Sequence, residues 1–183
     1  MPSAPPISDA PAATWPAGAR RAPAFILSGE DGKRVSLAAL RGRPVVITFI
    51  DPLCRDYCPT EAQHLNDVAN AFPAGAKPAI VAVSVNVYGN APSNLRLDAR
   101  KWRLVPQWTW AIGRGPELSR VWDAYHIQVI VSNRKIAGVT VHRIGHTEAA
   151  YVVDANGYQR ALFLWPYSAA AVERELRSLA SAT

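Results

Sequence analysis

The chain has 183 residues, of which 49% are hydrophobic and 19% are charged, a composition typical of a globular protein of about one domain. This composition excludes a disordered, highly charged chain and a fibrous repeat. With only 2 Cys, the sequence lacks the thiols of a disulfide-dense scaffold or a module with several zinc sites. The two cysteines therefore need one shared explanation.

The chain is basic, with 20 Lys+Arg against 14 Asp+Glu and a formal net charge of +6. This charge favours an acidic partner or an anionic membrane surface. The one local cluster of basic residues lies at near-helical spacing within residues 96–103. We interpret it as a solvated helix face, because the other basic residues are scattered along the chain, and we predict no nucleic-acid partner. No run of about 18 apolar residues occurs, so no transmembrane helix is predicted.

Residues 1–22 are rich in proline and alanine, which predicts a flexible tether followed by a folded domain over residues 23–183. Residues 1–18 lack the basic and apolar regions of a secretory signal. Such a tether suggests that a signal or membrane anchor precedes it in a longer chain. The alternative is an ordinary frayed terminus.

The predicted domain begins with a hairpin over residues 25–35 and a short helical turn capped by Ser36. Residues 44–50 are continuously apolar and β-branched, the pattern of a central strand buried on both faces. The two cysteines follow directly. A helix is predicted after them, with Pro59 at its first position and Pro73 at its end.

Strands and helices continue to alternate in the second half of the chain. The expected elements are a strand at 79–85, a helix around 95–102, a strand at 108–112, a helix at 117–125, two short strands around Asn133 within 129–140, a strand at 149–153, a turn at 154–157, a strand at 160–164 and a final helix from Ser168 to Leu179. This order predicts an α/β fold with a central, mostly parallel sheet flanked by helices and closed by an antiparallel hairpin.

Cys54 and Cys58 lie between the end of a predicted buried strand and the start of a helix, a position where sites form in open α/β sheets. Pro59 places Cys58 at or near the N-cap, where the helix dipole favours a thiolate. The spacing allows a shared metal ion, or a disulfide if the Cα atoms are about 4.4 to 6.8 Å apart. Two buried structural cysteines, or a structural disulfide across a short loop, are the alternatives.

Two thiolates alone leave a metal site short of donors, and 4 His are available. His64 is predicted to point along the helix that follows the cysteines, whereas His126 and His142 fit polar edge positions. His146 lies in a predicted loop over residues 143–147, from which an imidazole can reach the helix N-terminus beside the sulfurs. From its position alone, a structural role for His146 is the favoured interpretation.

Two stretches, VVITFIDPLCRDYCPTEAQHL and the later HTEAAYVVDANGYQRALF, resemble the Sco/SenC family of thioredoxin-fold copper proteins. The specific parts are the Cys-x-x-x-Cys-Pro motif at 54–59, the following Thr-Glu pair, and the His-Thr pair before YVVDANG. The resemblance covers nearly all of residues 25–179 and implies a thioredoxin-like fold.

The resemblance also implies that Cys54, Cys58 and His146 are copper ligands, for Cu(I) or Cu(II). Thioredoxins have one residue fewer between their cysteines and a cis-proline where this chain has His-Thr, so the family turns a redox face into a ligand face. Soft thiolates select Cu(I). Zinc prefers four ligands, and no fourth strong donor is evident near these three in sequence.

Two departures from the family pattern concern the surroundings of the ligands. Gly145 stands where the family usually has an acidic residue before the histidine, and Asn-Val-Tyr-Gly at 86–89 replaces an Asp-Pro motif. Both leave the three ligands in place, but they alter the groups that orient His146 and the surface offered to a partner.

The resemblance predicts a copper metallochaperone that delivers copper to the binuclear copper site of cytochrome c oxidase, or prepares the thiols of that site. The alternative is a thiol-disulfide oxidoreductase acting through Cys54 and Cys58. A peroxidase is less well supported, because Arg55 alone does not supply the Thr and Arg surroundings of a peroxidatic thiol. We further expect an extracytoplasmic monomer, anchored to the membrane in its full-length form.

Overall fold

The computed structural model describes residues 6–180. The strands are β1 (Ala13–Thr14), β2 (Ile26–Ser28), β3 (Arg34–Ser36), β4 (Val45–Ile50), β5 (Ala79–Ser84), β6 (Trp108–Ala111), β7 (Val129–Ile136), β8 (Val139–His146), β9 (Ala149–Val153) and β10 (Gln159–Leu164). The α-helices are α1 (Cys58–Asn70), α2 (Pro92–Lys101), α3 (Gly115–Ala124) and α4 (Ala169–Ala180), and short 3-10 turns cover Leu37–Leu40, Ala74–Ala76 and Val87–Gly89.

Six strands form the central sheet in the order β1-β10-β9-β4-β5-β6. Strands β4, β5 and β6 are parallel, β9 is antiparallel to β4, and β10 is antiparallel to β9. Strand β10 therefore runs with β4, so four of the six strands share one direction. The predicted mostly parallel sheet with a closing antiparallel hairpin is confirmed.

Alternate residues of β4 enter two separate cores, as the two-residue period of a strand requires. Val46 and Ile50 pack in the core that includes side chains of α1, α2 and α4. Ile47 and Phe49 pack on the opposite face, with α3 and the β2–β3 hairpin. Both faces of the sheet are therefore covered, and the carboxyl end of β4 leads into the cysteine loop.

The N-terminal segment lies on the domain, so the predicted boundary at residue 23 is wrong. Strand β1 pairs with β10, the backbone N–H of Ser8 donates to the carbonyl of Pro166 (2.9 Å), and Ala22 is buried. An edge strand offers unpaired backbone groups, and the extended chain that proline favours can satisfy them. Residues 1–5 of the predicted tether lie outside the described residues.

Strands β7 and β8 form a separate two-stranded hairpin in which every residue from 130 to 141 is exposed. The predicted break at Asn133 is wrong, because Asn133 pairs with His142 inside the ladder. The chain turns instead at Ala137 and Gly138, with φ of 48° and 82°, as a tight two-residue hairpin turn requires. The predicted loop over 143–147 is also wrong, because residues 143–146 belong to β8.

No helix within residues 6–180 is both long and apolar enough to cross a membrane.

Candidate metal centre

The loop that carries the cysteines is fixed at its start by Asp51, a buried residue directly after β4. Its Oδ1 accepts hydrogen bonds from the backbone N–H of Leu53 and from Nδ2 of Asn86, both at 2.8 Å. Because Asn86 follows β5, this contact ties together the ends of two neighbouring strands. Asn86, one of the two departures from the family pattern, thus supplies a side-chain amide that fixes the start of the cysteine loop.

Cys58 is the first residue of α1, one position beyond the N-cap residue Tyr57, and Pro59 follows it. Pro59 is therefore the second residue of the helix and not, as predicted, the first, whereas Cys58 does lie next to the N-cap. Cys58 is fully buried, whereas Cys54 is partly exposed, and both thiols are free. The two sulfurs therefore differ in access to solvent although they belong to the same loop.

The two thiols act on each other, and this interaction shifts their pKa values in opposite directions. The Cys58 thiol, helped by the backbone N–H groups of residues 56–58 and opposed by burial, lowers the pKa of Cys54 to about 6. The neighbouring Cys54 raises the pKa of Cys58, and burial adds to this effect. At neutral pH the pair therefore holds one thiolate, on Cys54, and one thiol, on Cys58.

His146 ends β8 with its ring oriented by the backbone. Its Nδ1 lies 3.1 Å from the carbonyl oxygen of Thr147, and because a carbonyl can only accept, Nδ1 carries the proton and Nε2 keeps a free lone pair. Thr147 is itself paired with Gln128 through two backbone N–H groups. Burial lowers the pKa of His146, so the imidazole is neutral and able to bind a metal at neutral pH.

Cys58, His146 and Glu148 bring their ligand atoms within 4.8 Å of one another. Cys54 lies outside this set but is close enough to Cys58 for the two thiols to shift each other's pKa. The structure thus clusters two of the three predicted ligands with an additional carboxylate, and places the third beside them. Cys54, His146 and Glu148 also line an open pocket of about 680 Å³, which gives the cluster access to solvent.

The SCO1/SenC family model matches residues 15–181 of the chain. The chain belongs to the SCO1/SenC family. The match covers both cysteines, His146 and every strand of the central sheet except β1, so the resemblance read from the sequence is confirmed.

Solved Sco structures share the fold at low sequence identity. Copper-bound ScoI of Bradyrhizobium japonicum has a TM-score of 0.74 and 22% identity, over 87% of this chain and 99% of that one. A SCO1/SenC family lipoprotein from Bacillus anthracis has a TM-score of 0.71 and 18% identity, over 88% and 95%. BsSco, described as containing a disulfide switch and as a member of the Sco family of cytochrome c oxidase assembly proteins, has a TM-score of 0.69 and 20% identity, over 90% and 95%. The thioredoxin-like fold is confirmed.

A chloroplastic peroxiredoxin Q from Gentiana triflora is 33% identical over 144 residues, which cover 77% of this chain and 56% of that protein. A second, from Populus jackii, is 32% identical over 101 residues, 55% and 44% of the two chains. The chain thus spans about half the length of these curated relatives.

Glu148 was not predicted as a possible ligand of this Sco protein. The sequence does indicate that it lies near His146, because residues two apart in an extended chain lie on the same side and Glu148 follows His146 by two. The side chain is partly buried. Burial, together with the negative charge of Cys54, raises the pKa of Glu148 to about 7.

A second carboxyl group, Glu61, lies fully buried on α1, one turn beyond Cys58. Its Oε1 accepts hydrogen bonds from Thr48 Oγ1 (2.7 Å) and from the hydroxyl of Tyr167 (2.8 Å). Burial raises the pKa of Glu61 to about 7 despite these donors. The sequence carried a sign of it, since Glu61 falls on the buried stripe of α1 that also holds Ala62 and Leu65.

The other histidines have different partners. His64 Nδ1 lies 3.0 Å from the carbonyl oxygen of Tyr167, and the His142 ring stacks on Tyr88 with centroids 3.6 Å apart. His126 follows the end of α3 and lies 3.5 Å from an Arg20 nitrogen. Of the four, His146 is therefore the one that joins the cysteine cluster within the described residues.

Proposed function

We propose that this Sco protein binds one copper ion through Cys54, Cys58 and His146 and delivers it to the binuclear copper site of cytochrome c oxidase. The observation that carries the proposal is that the Cys58 sulfur lies close to the His146 imidazole, next to an open pocket that Cys54 and His146 line. The description of BsSco as a cytochrome c oxidase assembly family member supports the choice of acceptor.

The donors of the cluster fit copper as a transferable cargo. Two sulfurs and one neutral imidazole suit Cu(I), a soft ion that accepts low coordination numbers. Cys54 supplies a thiolate at neutral pH because its pKa is about 6, and metal binding displaces the proton of Cys58. Because Cys54 and His146 line the pocket and Cys58 is buried, an incoming acceptor sulfur or imidazole reaches Cys54 and His146 before Cys58.

The β7–β8 hairpin is the surface we assign to the acceptor. It carries His146 at its base, and residues 129–146 include three cations, Arg134, Lys135 and Arg143, without an acidic residue. Ile130, Ile136 and Val139 are more than half exposed on it. An acceptor with an acidic and apolar rim around its copper site complements this surface.

We place the protein outside the cytoplasm, attached to the membrane in its full-length form and monomeric. The support is the lipoprotein from Bacillus anthracis in the same family and the net charge of +6, which favours an anionic membrane surface. Sequencing the gene upstream of Met1 tests this. A hydrophobic segment or lipidation signal is expected there, and the absence of both would contradict the placement.

Copper binding is tested with Cys54→Ser and Cys58→Ser as separate variants, compared with the unaltered protein after anaerobic loading with Cu(I). We expect one copper per chain in the unaltered protein and loss of tight binding in each variant, because either change leaves too few soft donors. Retention of one tightly held copper with an unchanged spectrum in either variant would contradict the shared site. Ser178→Ala, a change on α4, serves as the matched control.

The asymmetry of the two thiols favours a second candidate function, a thiol-disulfide oxidoreductase. The Cys54 thiolate, with its pKa of about 6, attacks a partner disulfide and releases one partner thiolate. The Cys58 sulfur then loses its proton and attacks Cys54 in the mixed disulfide, which yields a Cys54–Cys58 disulfide and a fully reduced partner. The disulfide switch described for BsSco supports this candidate.

A peroxidase remains less well supported, although the curated relatives are peroxiredoxins. Arg55 Nη1 donates to the carbonyl of Cys54 (2.7 Å) and forms an ion pair with the buried Asp98 (3.4 Å). The guanidinium is thus engaged by its own loop and by α2, and Cys58 and backbone N–H groups, not Arg55, lower the pKa of Cys54.

A further inference from the structure

Glu148 is a carboxylate at the copper cluster that the three-ligand site does not use. One of its oxygens lies within 4.8 Å of both the Cys58 sulfur and a ring nitrogen of His146. It faces the same pocket as Cys54. A harder donor than sulfur therefore stands beside the three soft or intermediate donors.

No structural role accounts for this carboxylate among residues 6–180. The backbone carbonyl of Glu148 accepts from the N–H of Trp165 (3.1 Å), but the side chain has no hydrogen bond or ion pair to a described residue. Asp51, the other acid close to the cysteine loop and largely buried, instead has both Leu53 and Asn86 as donors. The Glu148 carboxylate is thus a partly buried acceptor without a described partner, at the place where a cation is expected.

Gly145, which precedes His146, has no side chain and therefore offers no side-chain donor to a metal ion. The backbone of β8 holds His146 in place, and the chain then continues through Thr147 to bring Glu148 to the cluster. The acidic group of this site stands two residues after the histidine.

We propose that Glu148 is an oxygen ligand of Cu(II), and that Cu(I) is held without it. The proposal rests on the proposed copper function. Cu(I) is satisfied by the two cysteine sulfurs and the imidazole, whereas Cu(II) prefers four donors in a tetragonal arrangement that includes nitrogen or oxygen. Glu148 therefore makes the affinity of the site depend on the oxidation state of copper.

The test compares Glu148→Gln with Asp67→Asn, an exposed acid on α1 outside the pocket, as the charge-matched control. Cu(I) and Cu(II) affinities are measured by competition with chelators, and the Cu(II) site by electron paramagnetic resonance. We expect Glu148→Gln to lower the Cu(II) affinity at least about tenfold, to change the copper hyperfine splitting, and to leave the Cu(I) affinity unchanged. Asp67→Asn is expected to match the unaltered protein in all three readouts.

A tenfold loss for Cu(II) alone corresponds to a rise of about 59 mV in the reduction potential of the bound copper, since one electron is exchanged. Direct measurement of that potential provides an independent check. Unchanged Cu(II) spectra and affinity in Glu148→Gln, or equal losses for both oxidation states, would overturn the assignment of Glu148 and leave the chaperone proposal standing. Failure of the unaltered protein to bind copper in either state would overturn both.

Discussion

Cys58 lowers the pKa of Cys54, whereas Cys54 and burial raise the pKa of Cys58, so the two neighbouring thiols differ strongly in acidity. In the reduced, metal-free protein we expect Cys54 to react with iodoacetamide with a pH midpoint of about 6, and Cys58 to stay protected. Thiolate, not thiol, is the nucleophile, so the rate of alkylation reports the ionised fraction. Peptide mapping by mass spectrometry assigns the modified residue.

Cys58→Ala tests whether the neighbouring thiol is the cause. It removes the group that lowers the pKa of Cys54 most, so the pH midpoint of alkylation is expected to move up towards that of an ordinary thiol. Cys54→Ser is the matched control, in which the buried Cys58 stays unreactive at neutral pH. Equal rates at both cysteines, or an unmoved midpoint in Cys58→Ala, would show that the contact does not set the acidity.

Glu61 makes the stability of the domain depend on pH. Its pKa in the folded protein is about 7, above the ordinary value of 4.5, because of burial. The folded state therefore binds more protons than the unfolded state between these values, and stability falls as pH rises through this window. Glu61→Gln, which keeps an acceptor for Thr48 and Tyr167, is expected to remove about 2 to 3 kcal/mol of this loss between about pH 5 and pH 8.

Denaturant unfolding of the metal-free protein at the two pH values measures this effect. Asp67→Asn, an exposed change on the same helix, is the control and should keep the pH dependence of the unaltered protein. If Glu61→Gln and Asp67→Asn lose stability equally as pH rises, the buried carboxyl is not the source of the dependence.

The basic hairpin leads to a prediction about docking. Replacing Arg134 and Lys135 with glutamate reverses the charge at its tip, about as far along the hairpin from His146 as its strands allow. We expect weaker binding to the soluble copper-site domain of the same organism's cytochrome c oxidase, with slower association and an unchanged Cu(I) affinity. Glutamate at Lys33 and Arg34 on the β2–β3 hairpin is the charge-matched control. Identical association rates for the two double variants would argue against the β7–β8 surface.

The central sheet was predictable because its strands are continuous apolar runs, as at residues 45–50 and 79–84, and both faces of these strands are buried. The β7–β8 hairpin was not. Ala137 has a positive φ in the turn, a conformation that alanine rarely adopts. Asn133, a residue type common in turns, instead pairs within the two strands. The docking of residues 8–22 depends on a free edge of β10, which local composition cannot reveal.

Within the site, the cysteines and His146 followed from a motif and a resemblance, because each is a residue type with specific chemistry at a marked position. Glu148 and Glu61 were harder to identify, since exposed acids are common and their roles depend on what packs around them. The burial that raises the pKa of each to about 7 is a property of the assembled fold.

The most direct test of the copper account is a paired titration of His146→Ala, with Cu(I) competition and a thiol redox titration on the same preparation. Cysteine chemistry needs only Cys54 and Cys58, whereas copper retention needs the imidazole as well. We predict a fall in Cu(I) affinity of at least about tenfold, with formation of the Cys54–Cys58 disulfide retained. An unchanged Cu(I) affinity together with a collapse of disulfide reduction would contradict the chaperone account and assign His146 to acid-base catalysis in an oxidoreductase.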